Sequence, residues 1–163
     1  MILVCTVGLP GAGKTTWADA TGWPVISPDR IRYGCTGAPV YYHQPDYRVW
    51  DDIMWSSVRT AIQKHQRMGA PFIVLDSTGT DLQKRTAFRE WGQKVKATVL
   101  FMVFHTGREV CKERLRAAER FPDLQSLDTH VELMRHVAVD LRPAGDYRLP
   151  VNPGTPFEGV LRG

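Results

Sequence analysis

Residues Gly8-Leu9-Pro10-Gly11-Ala12-Gly13-Lys14-Thr15 follow the pattern G-x-x-x-x-G-K-[S/T], the feature that most narrows what this chain can fold into. The spelling has a mechanism. Glycines let successive N–H groups curl around a chain of phosphates, where a Cβ would collide. A helix opening at Lys14 turns its positive end toward the same anion. Lys14 then reaches the outer phosphates, and the Thr15 hydroxyl is the expected Mg²⁺ ligand. Gly8, Gly11, Ala12, Gly13, Lys14, Thr15 and Thr16 are therefore the expected nucleotide-binding residues. Such a loop needs a buried strand before it and a helix after it. Ile2 to Val7 is a nearly unbroken apolar run, and Lys14 to Ala20 reads as a short helix stopped by Gly22 and Pro24.

Beyond the loop the same alternation continues. Pro24 to Ser27 reads as a second strand, and Gly34 to Gln44, rich in Gly, Pro and Tyr, as a loop. From Asp46 to Met68, Trp50, Ile53, Met54, Val58, Ala61, Ile62 and His65 recur at three- and four-residue steps, the stripe of a long helix. Phe72 to Leu75 is a third strand closing on Asp76. A helix over about Asp81 to Gly92, a fourth strand over Thr98 to Phe104 and a charged helix over Arg108 to Arg120 follow. Pro122 to Asp128 reads as a loop, with Asp128 capping a helix that runs to about Leu141. Parallel strands need long crossovers, so this order implies an α/β sandwich of three layers: a parallel sheet of about four strands between helices. The 163 residues suit one domain over 1–163.

Composition excludes several classes. With 43% apolar and 23% charged residues the chain is neither disordered nor fibrous. No apolar run approaches the ~18 residues a membrane helix needs, so no membrane partner is expected. Met1 to Val7 lacks the basic start of a signal peptide. Three scattered cysteines fit neither a disulfide framework nor a zinc spacing, which points to a reducing, cytoplasmic setting. The five histidines show no ligand spacing. A net charge of +4 permits a phosphate-bearing partner.

Two aspartates stand at strand ends, where a sheet of this type gathers its ligands. Asp29 follows the second strand within Ser27-Pro28-Asp29-Arg30-Ile31-Arg32, and Asp76 follows the third within Leu75-Asp76-Ser77-Thr78. A carboxylate there can take a proton from an attacking hydroxyl or hold Mg²⁺ and its waters; it can also simply cap a helix. Together with Thr16-Trp17-Ala18 behind the loop, these segments resemble the 5′-hydroxyl polynucleotide kinases of the phage type. That resemblance covers about Ile2 to Leu141. It implies an ATP- and Mg²⁺-dependent transfer of the γ-phosphate to the 5′-hydroxyl of DNA or RNA ends. It implies that Asp29 activates the hydroxyl, that Arg32 contacts the neighbouring phosphate, and that Asp76 supports Arg32 or the acceptor site. It further implies a helical lid, near residues 114–128, with a lid arginine for which Arg120 and Arg116, four apart on the charged helix, are the candidates. Two departures stand out: Gly79 where the family often has asparagine, and Arg114-Leu115-Arg116 in place of an arginine-asparagine pair.

The segment Tyr41-Tyr42-His43-Gln44-Pro45-Asp46-Tyr47-Arg48 interleaves aromatic and basic residues, as surfaces that stack single-stranded nucleic acid do; packing of the loop on the core is the other use of such tyrosines. Two further readings stay open. Kinases of small hydroxyl compounds (a sugar acid, an antibiotic, a nucleotide sugar) share the phosphate loop and the strand-end aspartate. A nucleotide-dependent switch shares the loop alone.

Overall fold

The structure is a computed structural model that describes residues 1–38, 46–140 and 149–150. Strand β1 (Ile2–Val7) occupies the middle of its sheet because both of its faces are apolar. Leu3, Cys5 and Val7 enter one core; Val4 enters the other. Strand β2 (Val25–Ile26), β3 (Phe72–Leu75), β4 (Thr98–Val103) and β5 (Leu149–Pro150) complete a parallel sheet of order β2-β3-β1-β4-β5. Register is direct: Ile2 stands opposite Phe72 on one side and Thr98 on the other. The four expected strands are present. The fifth, two residues pairing with Met102 and Val103, comes from the Pro-rich tail and ends on Pro150, a residue without an N–H that suits an edge.

Helices cover both faces. Met54, Val58 and Ile62 of α3 (Tyr47–Arg67) and Phe88 of α4 (Leu82–Lys94) close one core. On the other face the loop residue Ala12, which leads into α1 (Lys14–Ala20), packs with Cys111 and Leu115 of α5 (Arg108–Ala117) and Leu127 of α6 (Phe121–Asp140). The nine-residue α2 (Pro28–Thr36) sits between β2 and the segment leading to α3, and ends at Gly37 in the left-handed conformation. It therefore takes in Gly34 to Thr36, which the composition alone assigns to a loop.

Two expectations need correction, both around α5 and α6. The charged helix does not run through to Arg120. It closes in a Schellman turn, with the Arg120 N–H on the Leu115 carbonyl (2.9 Å) and the Glu119 N–H on the Arg116 carbonyl (3.1 Å). Glu119 takes the left-handed φ of 54° that glycine usually supplies, so no glycine marks the stop. Arg116 and Arg120 thus share no helix face. Residues 122–128 are not a loop either. Pro122 stands in the first turn of α6, where its missing N–H costs nothing, and Asp128 lies inside that helix, bonded to Arg108 Nε (2.7 Å).

Gly92, within α4, tests packing against propensity. A Cβ there would lie 2.2 Å from Val99 Cγ2, and a β-branched strand residue cannot swing aside. Helix propensity alone favours Gly92→Ala by about 1 kcal/mol. The contact should win, so the variant is expected to lose about 1–3 kcal/mol in urea unfolding.

Candidate active site

The phosphate loop is built against α5. Gly11 has φ 78°, and a Cβ on it would meet the Cys111 carbonyl oxygen at 2.9 Å and Leu115 Cγ at 3.2 Å. Only glycine fits that backbone in that space. Thr106 Oγ1 donates to the Ala12 carbonyl (2.9 Å), tying the exit of β4 to the same loop. Gly13 caps α1 without a side chain, which leaves the first turn of the helix open toward the loop.

Lys14 is buried, and its Nζ donates to the Gly8 and Leu9 carbonyls at 3.0 and 2.7 Å. Burial pushes its pKa down to about 8, while the nearby Asp76 carboxylate pulls it back up. Thr15 Oγ1 donates to Asp76 Oδ2 at 2.8 Å. Asp76 is itself buried, which raises its pKa against the opposing pull of the Thr15 bond and the Lys14 charge. Thr6 fixes the turn behind it: its hydroxyl donates to the Ser77 carbonyl (2.7 Å) and accepts from the Ser77 N–H (3.0 Å). A hydroxyl and a carboxylate in contact are hard oxygen donors that suit Mg²⁺, which takes one or two protein oxygens and completes its shell with phosphates and water. Thr15 and Asp76, in contact at 2.8 Å, are the residues that would receive the ion.

Asp29 stands in the first turn of α2 with its side chain 81% exposed. Its charge favours the cationic form of Lys14 and opposes ionisation of Asp76, so it is electrostatically in touch with the loop. Arg32, 11% exposed, donates from Nη1 to Asp29 (2.9 Å) and from Nη2 to Asp51 (3.1 Å), and lies 5.3 Å over the Tyr47 ring. The resemblance gives Asp76 as a possible support for Arg32; here Asp76 bonds Thr15, and Asp51 takes that place. Asp51 is one residue the sequence reading missed. Its only local signal is a polar position one turn after Tyr47 on α3.

Arg114 is the other. Its Nη1 donates to the Gly11 carbonyl at 3.2 Å, because its neighbour Leu115 packs on that same glycine. Arg120 pairs with Asp123 (2.7 Å), and its charge lowers the pKa of Lys14. Arg116 is exposed on α5, with no loop contact among the described residues. Thr16 is exposed in the first turn of α1. Tyr41 and Tyr42 lie outside the described residues.

A family profile described as an AAA domain, AAA_33, matches residues 3–137. The chain belongs to the AAA_33 family. No curated protein matches it in sequence. Among solved structures it is similar to a Chloroflexus aurantiacus protein proposed to be a kinase, with TM-score 0.66 and 17% identity over 99% of this chain and 92% of that one. A chain of the Pnkp1/Rnl/Hen1 RNA repair complex gives TM-score 0.70 and 18% identity over 85% of this chain, which spans only 45% of that larger one. Shikimate kinase from Acinetobacter baumannii, in complex with shikimate, gives TM-score 0.54 and 16% identity over 94% of this chain and 84% of that one. These likenesses show the fold: a P-loop domain of kinase type. No helix among the described residues is long and apolar enough to cross a membrane.

The buried lysine makes a measurable signature. Its charge is lost as pH rises through about 8, and a bound triphosphate would favour the charged form. Affinity for ATP should therefore be full below about pH 8 and weaken as pH rises above it, with proton uptake on binding near and above that pH. Calorimetry in buffers of unlike ionisation heat should detect that uptake, and Lys14→Met should abolish it along with most of the affinity.

Proposed function

We propose that the protein transfers the γ-phosphate of ATP to the 5′-hydroxyl end of a DNA or RNA strand. The observation that carries this reading is the Asp29–Arg32 pair. An exposed carboxylate, whose charge acts on Lys14 and Asp76, stands beside a guanidinium that is already positioned by other groups. A neutral hydroxyl acceptor needs only the carboxylate. An acceptor with an anionic group next to its hydroxyl, such as the neighbouring phosphate of a strand end, uses both.

In this reading the phosphate adjoining the acceptor hydroxyl draws Arg32 Nη1 away from Asp29. The freed carboxylate takes the hydroxyl proton as the oxygen bonds to the γ-phosphorus and the bond to the ADP oxygen breaks. Lys14 would neutralise charge on the phosphates, and Thr15 with Asp76 would hold a Mg²⁺ ion, which would supply further positive charge there. Arg114, which reaches the Gly11 carbonyl, and Arg120 are the arginines that in this reading meet charge on the moving phosphoryl group. The protein would work in the cytoplasm on nucleic-acid ends and nucleoside triphosphates.

Transfer of labelled phosphate from ATP to a 5′-hydroxyl oligonucleotide is the test. Asp29→Asn should lower kcat by about 10²–10⁴ with little change in KM for ATP. Arg114→Ala should cost far more than Arg116→Ala, up to about 10³–10⁵ if it meets transition-state charge directly. Transfer to shikimate, gluconate or another small hydroxyl compound but not to the oligonucleotide would replace this reading with the small-molecule one. ATP loss that ignores both acceptors and survives Asp29→Asn would point to a switch.

A further inference from the structure

Arg32 is held more elaborately than a surface arginine needs. Helix α2 supplies Asp29 three residues before it, and α3 supplies Tyr47 and Asp51, one turn apart on one face. The guanidinium divides its two Nη groups between the carboxylates, with the ring of Tyr47 at 5.3 Å. Its Nε is buried and finds no hydrogen-bond acceptor among the described residues. The two carboxylates differ in setting: the Asp29 side chain is 81% exposed and that of Asp51 28%. Water competes strongly at the first bond and weakly at the second, so the Asp29 bond is the one an incoming anion can replace.

We propose that Asp51 is a positioning residue: it keeps Arg32 in place, aimed at the acceptor phosphate, while Asp29 lets go of the guanidinium and turns to the hydroxyl. This rests on the proposed function and deepens it. Without Asp51 the arginine has one carboxylate left, and it is the proposed base. Removing Asp51 should therefore strengthen the Arg32–Asp29 pair, loosen the hold on the acceptor phosphate and occupy the base, three effects with one origin.

The roles are separable by kinetics on two acceptors, a nucleoside 3′-phosphate and the same nucleoside without the phosphate. Asp51→Asn should reduce kcat/KM for the phosphate-bearing acceptor by about tenfold or more, while KM for ATP stays within about twofold. The preference of the enzyme for the phosphate-bearing acceptor should shrink by a similar factor. Asp51→Glu should recover part of the loss. In an Arg32→Met background, Asp51→Asn should change nothing further, because the effect runs through Arg32. A merely structural role predicts equal losses on both acceptors and in both backgrounds; that result, or constants for Asp51→Asn within about twofold of the parent on an active enzyme, overturns the role of Asp51 alone. A parent enzyme that transfers to neither nucleoside acceptor nor to an oligonucleotide overturns the proposed function and this role together.

Discussion

Lys14 is an ammonium buried at the end of the central strand, and most of the site can be understood as its surroundings. A cation removed from water must find donors' partners nearby or lose its proton. Here it leans on the Gly8 and Leu9 carbonyls and feels the Asp76 carboxylate from the next strand. That carboxylate is in turn held by Thr15, the residue after the lysine, and its turn is pinned by Thr6 of β1. The parallel register of β1 with β3 is what lets one strand's loop meet the other's terminal aspartate. A triphosphate entering the loop would bring the counter-charge that carbonyl dipoles supply only in part.

The outer ring of charge is looser and more exposed. Asp29 repels Asp76 and attracts Lys14, so its carboxylate sits in a field set by the phosphate loop while remaining open to solvent. Arg32 belongs to this ring but is anchored from α3, and Arg114 reaches the loop from α5 on the opposite core. Helices α2 and α3 thus build one charged cluster, and α5 reaches the phosphate loop.

Local features were legible in the sequence and tertiary ones were not. Lys14–Ala20, Ile2–Val7 and Phe72–Leu75 could be bounded to the residue because apolar runs and glycine turns announce themselves along the chain. The end of α5 could not, since a glutamate at φ 54° does the work of a glycine. Nor could the start of α6, where Pro122 opens a helix and reads like a loop. Asp51 and Arg114 were missed because nothing in their neighbourhoods distinguishes them from solvent-facing charges; their roles come from what α3 and α5 are packed against. Arg85, in a helix rich in charge, is buried and donates to the Gly79 and Thr80 carbonyls (2.8 and 2.6 Å). The departure at Gly79 has a physical account as well: with φ 57° and a Cβ that would fall 2.5 Å from the Thr6 carbonyl oxygen, no asparagine fits this backbone.

The most direct measurement is a crystal structure with Mg²⁺, a non-hydrolysable ATP analogue and a 5′-hydroxyl oligonucleotide bound together. The account predicts the acceptor oxygen within about 2.6–3.2 Å of an Asp29 carboxylate oxygen and in line with the γ-phosphorus, with Arg32 moved onto the adjacent phosphate and still bonded to Asp51. An acceptor oxygen lodged away from Asp29, with the Asp29–Arg32 pair intact, would contradict it.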